Sequence, residues 1–255
     1  MSTISTSLGD SAIMLRRNFK HQGRNPSAVF QAVLLPIVIM GMFVLVFGGA
    51  FDVGGGKYID YAVPGLTVMA ITYGLGPTAM SVHGDMAKGI INRFKVMDVS
   101  RGAVLTGHVV ATTMRCLLAC VAIVGVGFAM GFRSDAGVLG WLGAFGMVAL
   151  ISFAASWLTV AMGLAAKTPE SAGMGSVPLN ILPFLSSAFV PADSMGDGVR
   201  QFAEYQPFTP MIETLRGLMT GHTPSTGHVI GAFAWSIGLT ALGYVWAVST
   251  FKKRA

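Results

Sequence analysis

The sequence predicts an all-α integral membrane protein with six transmembrane helices. Three observations carry that prediction: six long apolar runs, a shortage of charge, and the sorting of the remaining charge between alternate loops. Of 255 residues, 53% are hydrophobic and only 11% are charged, against roughly 25% charged in soluble domains. The mean hydropathy is +0.66. Such a chain cannot hide its apolar surface from water by folding alone.

A bilayer core about 30 Å thick needs about 20 apolar residues in a helix. Runs at 28–51, 61–82, 104–132, 139–165, 172–190 and 229–251 approach or exceed that length. Helix is the expected form, because hydrocarbon offers no partner to exposed backbone N–H and C=O groups. Barrel strands would alternate over about 10 residues, and these runs do not.

The loops give the orientation. Twelve of the 17 Lys and Arg residues fall on one side: Arg16, Arg17, Lys20 and Arg24, then Lys88, Arg93, Lys95 and Arg101, then Lys167, Lys252, Lys253 and Arg254. The other side holds Lys57, Arg133, Arg200 and Arg216, together with seven of the 11 acids. Both termini are therefore expected in the cytoplasm of a bacterial cell, with the protein in its inner membrane. The net charge of +6 follows from this sorting and suits an anionic inner leaflet rather than a nucleic acid. The apolar run after the N-terminal segment starts too late and is too long for a cleaved signal.

The connections are informative. Leu8, Ala12, Leu15 and Phe19 form a helical stripe opposite Arg17, Lys20 and Arg24. Residues 7–25 thus read as an amphipathic helix on the inner surface, or as a solubilising basic leader. In 85–101, Ile90, Phe94 and Met97 repeat at helical spacing while Lys88, Asn92 and Lys95 face away. This short cytoplasmic helix either docks a partner or lies on the leaflet. The fifth run is short: Gly175 to Phe189 spans about 22 Å at 1.5 Å per residue, and Pro178 and Pro183 interrupt it. The outer segment 191–228 holds candidate helices at Asp197–Tyr205 and Pro210–Thr220, which either dip into the outer leaflet or form an ordinary loop. Arg115 would sit near mid-bilayer, as a functional-site candidate, if the third span starts at Val104. The polar Thr106, His108, Thr112 and Thr113 place it instead near the inner boundary, snorkelling toward phosphates. Gly125, Gly127 and Gly131, or Gly227 and Gly231, permit close helix contact, within the chain or at a dimer seam.

Several chemistries are missing. Gly54-Gly55-Gly56-Lys57-Tyr58 is no phosphate loop, since Phe51 and Tyr58 occupy the positions of the first glycine and the hydroxyl. The five histidines are scattered, without metal-ligand spacing. Cys116 and Cys120, four apart on one helix, read as small apolar fillers. Ser176 and His228 fall on opposite membrane sides, too far apart for a nucleophile and its base. Acids are absent from the spans, where ion-driven carriers place them. Any transport energy is therefore expected from a separate ATP-hydrolysing partner.

Asp85 through Arg101, with Lys88, Gly89, Arg93, Phe94, Met97 and Ser100, resembles the cytoplasmic signature of type-2 ABC exporter permeases of the daunorubicin-resistance branch. Leu182 through Pro191 is similar to that branch's fifth-span motif. Pro207-Phe208-Thr209-Pro210, Leu215-Arg216-Gly217, Leu15-Arg16-Arg17, Arg24-Asn25-Pro26 and Phe47-Gly48 match its outer segment and its start, in order along the chain. Asp98 and Gly196 depart from prolines usual in the family.

The resemblance implies a single permease domain over 1–255. Two permease subunits, alike or siblings, would sit on two ATPase subunits. The helix in 85–101 would be a coupling helix in an ATPase groove. Asp85, Lys88, Gly89, Arg93, Phe94, Met97, Ser100 and Arg101 would then touch the ATPase, with Arg16 and Arg17 from the N-terminal helix. The chain itself would bind no cofactor and catalyse nothing, ATP and Mg residing on the partner. Asn180, Phe184, Ser186 and Ser187 would line a pathway for a lipophilic or amphipathic cargo. Rival expectations are an ion-coupled secondary carrier, an exporter of lipid or lipid-linked glycan, and a non-transporting sensor or assembly subunit.

Overall fold

In the computed structural model, residues 33–46, 48–49, 56–87 and 101–254 are described, without the side chains of 101–104 and 254. All regular structure among them is helical. The segment before Val46 contains α1 (Leu35–Gly41), which opens on Pro36 and runs on as a π turn at Met42–Val46. The second predicted span is two helices, α2 (Tyr58–Tyr73) and α3 (Gly76–Ala87). Next come α4 (Arg101–Ala129) and α5 (Val138–Ala165). The fifth predicted span is a chain of short pieces: α6 (Pro169–Met174), α7 (Val177–Ile181) and a 3-10 turn at Leu182–Leu185. The outer segment carries α8 (Asp197–Tyr205) and α9 (Phe208–Thr220), and α10 (Thr226–Arg254) follows.

Three of these helices are long and apolar enough to cross a bilayer: Leu105–Ala129, Val138–Ala165 and Thr226–Lys253. Among the described residues the protein is therefore all-helical, with three candidate membrane spans. Its third, fourth and sixth predicted spans appear within three residues of their expected bounds. The N-terminal helix 7–25 and residues 88–100 of the coupling segment lie outside the described residues.

The second run differs from an uninterrupted span for a local reason. Gly74-Leu75-Gly76-Pro77 puts two glycines and a proline within four residues. Glycine is costly in a helix interior, and proline has no N–H to donate. The helix tightens there, Gly74 donating to Ala70 and Ile71 carbonyls and Leu75 to Thr72. The fifth run breaks at Gly175-Ser176 and again around Pro183, as its prolines predict. Its first piece starts with a reciprocal cap: the Thr168 hydroxyl accepts from the Ser171 N–H at 3.2 Å, and the Ser171 hydroxyl accepts from the Thr168 N–H at 3.0 Å. This satisfies donors that a helix start leaves free.

The interior has two cores. The larger surrounds α2, whose side chains are buried on every face, and gathers residues of α4, α5 and α9 with Ala188 and Phe189. The smaller lies at the end that charge sorting assigns to the cytoplasm. It joins Val82 of α3, Leu105 and Val109 of α4, Trp157 to Leu164 of α5, and Ala247 and Phe251 of α10. Close helix approach depends on missing side chains. Gly127 faces Val63, and Gly231 faces Pro210, so both serve packing inside the chain.

One of the tightest such approaches joins α10 to α5. A Cβ at Gly243 would come 2.6 Å from the Leu158 nitrogen and 2.7 Å from the Trp157 carbonyl carbon. Backbone cannot rotate aside as a side chain can. Gly243→Leu is therefore expected to lower stability by about 1–3 kcal/mol or more through overpacking. Thermal unfolding in detergent checks this. A Tm equal to wild type would mean that α10 is free to shift away from α5.

Candidate functional site

The polar side chains buried in this apolar molecule collect at three levels. The first is a seam where the end of the fifth run meets α2, α8 and α9. Along and just after the 3-10 turn at Leu182–Leu185 the α-helical ladder stops, leaving carbonyls open to other donors. Side chains from the outer segment supply them. The Gln206 amide donates to the carbonyls of Leu182 at 3.2 Å and Leu185 at 3.1 Å. The Tyr61 hydroxyl donates to the Ser187 carbonyl at 2.9 Å, and the Ser187 N–H donates to the Thr209 hydroxyl at 3.3 Å.

Arg216 on α9 closes the seam. Its guanidinium donates to the Ser187 carbonyl at 2.6 Å and the Tyr61 carbonyl at 3.2 Å. It pairs with Glu213 one turn away and stacks 3.7 Å over the Tyr61 ring. One side chain therefore holds three elements together. Beside it opens a cleft of about 410 Å³ whose lining includes Tyr61, Asp193, Glu204, Thr209, Glu213 and His228. Arg200 borders it, bonded to Asp193 at 3.0 Å and Glu204 at 2.8 Å.

The residues expected to line a cargo pathway occupy different settings here. Ser186 and Ser187 are buried within the seam. The Ser186 hydroxyl accepts from the Ala188 N–H at 3.2 Å. Asn180 is half-buried on α7, with its carbonyl oxygen unpartnered among the described residues. Phe184 is 39% exposed and stacks on Phe189, which stacks in turn on Phe43 at 4.1 Å between centroids. Met174, Val177, Ile181, Phe184 and Leu185 give the fifth run an exposed apolar face.

The second level lies at the break between α2 and α3. Arg115 sits midway along α4. Its Nη2 donates to the Gly74 carbonyl and, at 2.7 Å, to the Thr78 hydroxyl. Thr78 also bonds Thr112 of α4 at 2.9 Å. The expected snorkelling of Arg115 toward inner-leaflet phosphates is thus corrected. A broken helix offers free carbonyls at this depth, and the guanidinium turns to them. A charge at mid-bilayer costs about 3 kcal/mol on insertion scales, which is why such residues face protein partners.

The third level is the basic end. Asp85, the one expected ATPase contact whose side chain is described, accepts from His108 Nε2 at 3.2 Å, tying the end of α3 to α4. Arg101 begins α4. Lys88, Gly89, Arg93, Phe94, Met97 and Ser100, like Arg16 and Arg17, lie outside the described residues. Among the described residues no group of three or more His, Cys, Asp or Glu could hold a metal ion.

Residues 11–220 match the family described as ABC-2 type transporter. The chain belongs to that family. It is 31% identical over 222 residues to the daunorubicin resistance ABC transporter permease protein DrrB1 of Streptomyces coeruleorubidus, covering 87% of this chain and 74% of that one. It is 26% identical over 236 residues to the probable doxorubicin resistance ABC transporter permease protein DrrC of Mycobacterium tuberculosis, covering 91% and 84%. As an ABC-2 family member the protein is a transport component of a membrane. The family match spans α1 to α9, and so contains both the seam and the break.

Sequence reasoning did not single out Gln206 or Tyr61; it treated Thr209 only as part of a motif, and Arg216 only as an outer charge and part of a motif. The prolines at 178 and 183 signal a broken run, but the carbonyls they deprive of a donor are those four residues earlier, whereas the carbonyls met by the seam are those of Leu182, Leu185 and Ser187. Which donors reach them depends on contacts 21 to 126 residues apart in sequence.

Proposed function

We propose that the chain is the permease subunit of an ATP-driven exporter that moves a lipophilic or amphipathic, drug-like cargo out of the cytoplasm. Its match to the ABC-2 family over 11–220 carries this reading, and relatives named as daunorubicin and doxorubicin resistance permeases supply the class of cargo. The runs at 28–51, 61–82 and 172–190 complete six spans, with both termini in the cytoplasm. Two such subunits pair on two ATPase subunits, which bind ATP and Mg, and this chain hydrolyses nothing.

The geometry supports a division of labour. The segment 85–101 receives the ATPase stroke at the root that Asp85 and His108 anchor. The seam around Arg216 closes the outer side. Cargo moves along the apolar face of the fifth run, past Phe184 and Asn180, and leaves by the cleft beside Tyr61. Ser186 and Ser187 shape that route through their backbone.

The test is reconstitution in liposomes with a co-purifying ABC ATPase, using a fluorescent anthracycline as cargo. Flux that requires both ATP and the partner is expected. Flux from the chain alone under an ion gradient would replace this reading with a secondary carrier.

A further inference from the structure

The two halves of the second span pack in different cores, through both of which α4 and α5 run unbroken. Helix α2 packs on α1, α4 and α9 and lies in the larger core. A Cβ on its Gly65 would come 2.6 Å from the Ala188 carbonyl oxygen, so α2 is fitted against the outer seam. Helix α3 packs on α5 and α6, and its Val82 belongs to the smaller core. There the fit is equally close: a Cβ on Gly163 of α5 would come 2.6 Å from the Ala79 carbonyl oxygen. Between them lies Gly74-Leu75-Gly76-Pro77, where the run of helical hydrogen bonds lapses. Such a point absorbs backbone rotation that neither half can.

Arg115 spans that point with a single nitrogen. Nη2 holds the Gly74 carbonyl at the end of α2 and the Thr78 hydroxyl in α3. Its Nε and Nη1 are buried and make no hydrogen bond among the described residues. Buried donors are nearly always paired, so two idle donors beside a helix break are a reserve. They can take up carbonyls that a change of angle would free, which lets the bend alter without stranding the charge.

The geometry points to Arg115 as a positioning residue: a mid-membrane pin that holds α3 at a defined angle to α2. Motion delivered after Ala87 thereby reaches the seam at Ser187. This inference rests on the permease reading only for its use in transport; the pin itself is a mechanical property of the chain.

Two measurements test it. Spin labels at Lys57 and Ala87, both exposed, report the angle across the break, while native Cys116 and Cys120 are buried. Arg115→Met is expected to broaden the distance distribution, and Arg115→Lys to keep it narrower. In liposomes with the ATPase, Arg115→Met is expected to move about tenfold less cargo per ATP hydrolysed, with hydrolysis retained. Should Arg115→Met fail to insert, Thr78→Val, which removes one of the two acceptors, is read in its place. An unchanged distribution alongside normal wild-type flux overturns the pin alone. A broadened distribution alongside a wild type without ATP-driven flux supports the pin and overturns the permease reading.

Discussion

Replacing Phe94 with aspartate is expected to cut ATP-driven flux by about tenfold or more while the chain still inserts and pairs. Phe94 stands between Ile90 and Met97 on the apolar stripe of the segment 85–101, and it is the only aromatic there. Buried aromatic anchors at interface centres commonly contribute 2 kcal/mol or more, and every 1.4 kcal/mol is about tenfold in occupancy. Aspartate removes the anchor and adds a charge with no partner in an apolar groove. The cargo-stimulated part of ATP hydrolysis should disappear with flux, while basal hydrolysis stays. Lys95→Ala, on the opposite face, is the control and should change flux less than twofold. Full flux from the Phe94→Asp protein would remove this segment as the point where the ATPase grips.

Arg216→Met is expected to be the most damaging single change in the outer segment. It withdraws charge-assisted donors from two carbonyls, at Ser187 and Tyr61, and leaves half-buried Glu213 without its cation. A hydrogen bond to a charged group contributes about 1.5–3 kcal/mol, and the lost stack on Tyr61 adds about 1 kcal/mol. Tyr61 still donates to Ser187 at 2.9 Å, so the net loss is expected near 3 kcal/mol. Lysine restores the charge without the planar fork and should recover less than half. The readouts are thermal unfolding and labelling at Ser187→Cys by an impermeant maleimide. Ser187 is 1% exposed, so labelling from outside should accelerate sharply in Arg216→Met. Equal protection in both proteins would mean that the seam is held by packing alone.

The long spans were legible because each carries a continuous apolar run, and averaging over 20 residues finds such runs reliably. The outer helices were legible from short amphipathic repeats: Asp197–Tyr205 matches its expected bounds, and the second begins at Phe208 instead of Pro210. Pro178 and Pro183 announced the broken fifth run. The same averaging concealed the break at Gly74–Pro77, since glycine and proline barely lower the hydropathy of a window. The destination of Arg115 was hidden for a related reason. Its boundary placement followed from the polar neighbours Thr106, His108, Thr112 and Thr113, two of which in fact bond inward, to Asp85 and Thr78. Pairings of this kind depend on which helices touch, and no local pattern encodes that.

The dependence of the fifth run on Gln206 and Arg216 also bears on how the protein is made. Residues 182–187 leave the ribosome after Tyr61, which donates to the Ser187 carbonyl, but before Gln206 and Arg216, which supply the other donors. Until α8 and α9 have been synthesised, the carbonyls of Leu182 and Leu185 lack the donors that Gln206 supplies. Stable placement of residues 182–187 therefore waits on the residues that follow them. Truncation between Val190 and Gln206 would yield a nascent chain marked for degradation, although every apolar run before the cut is intact.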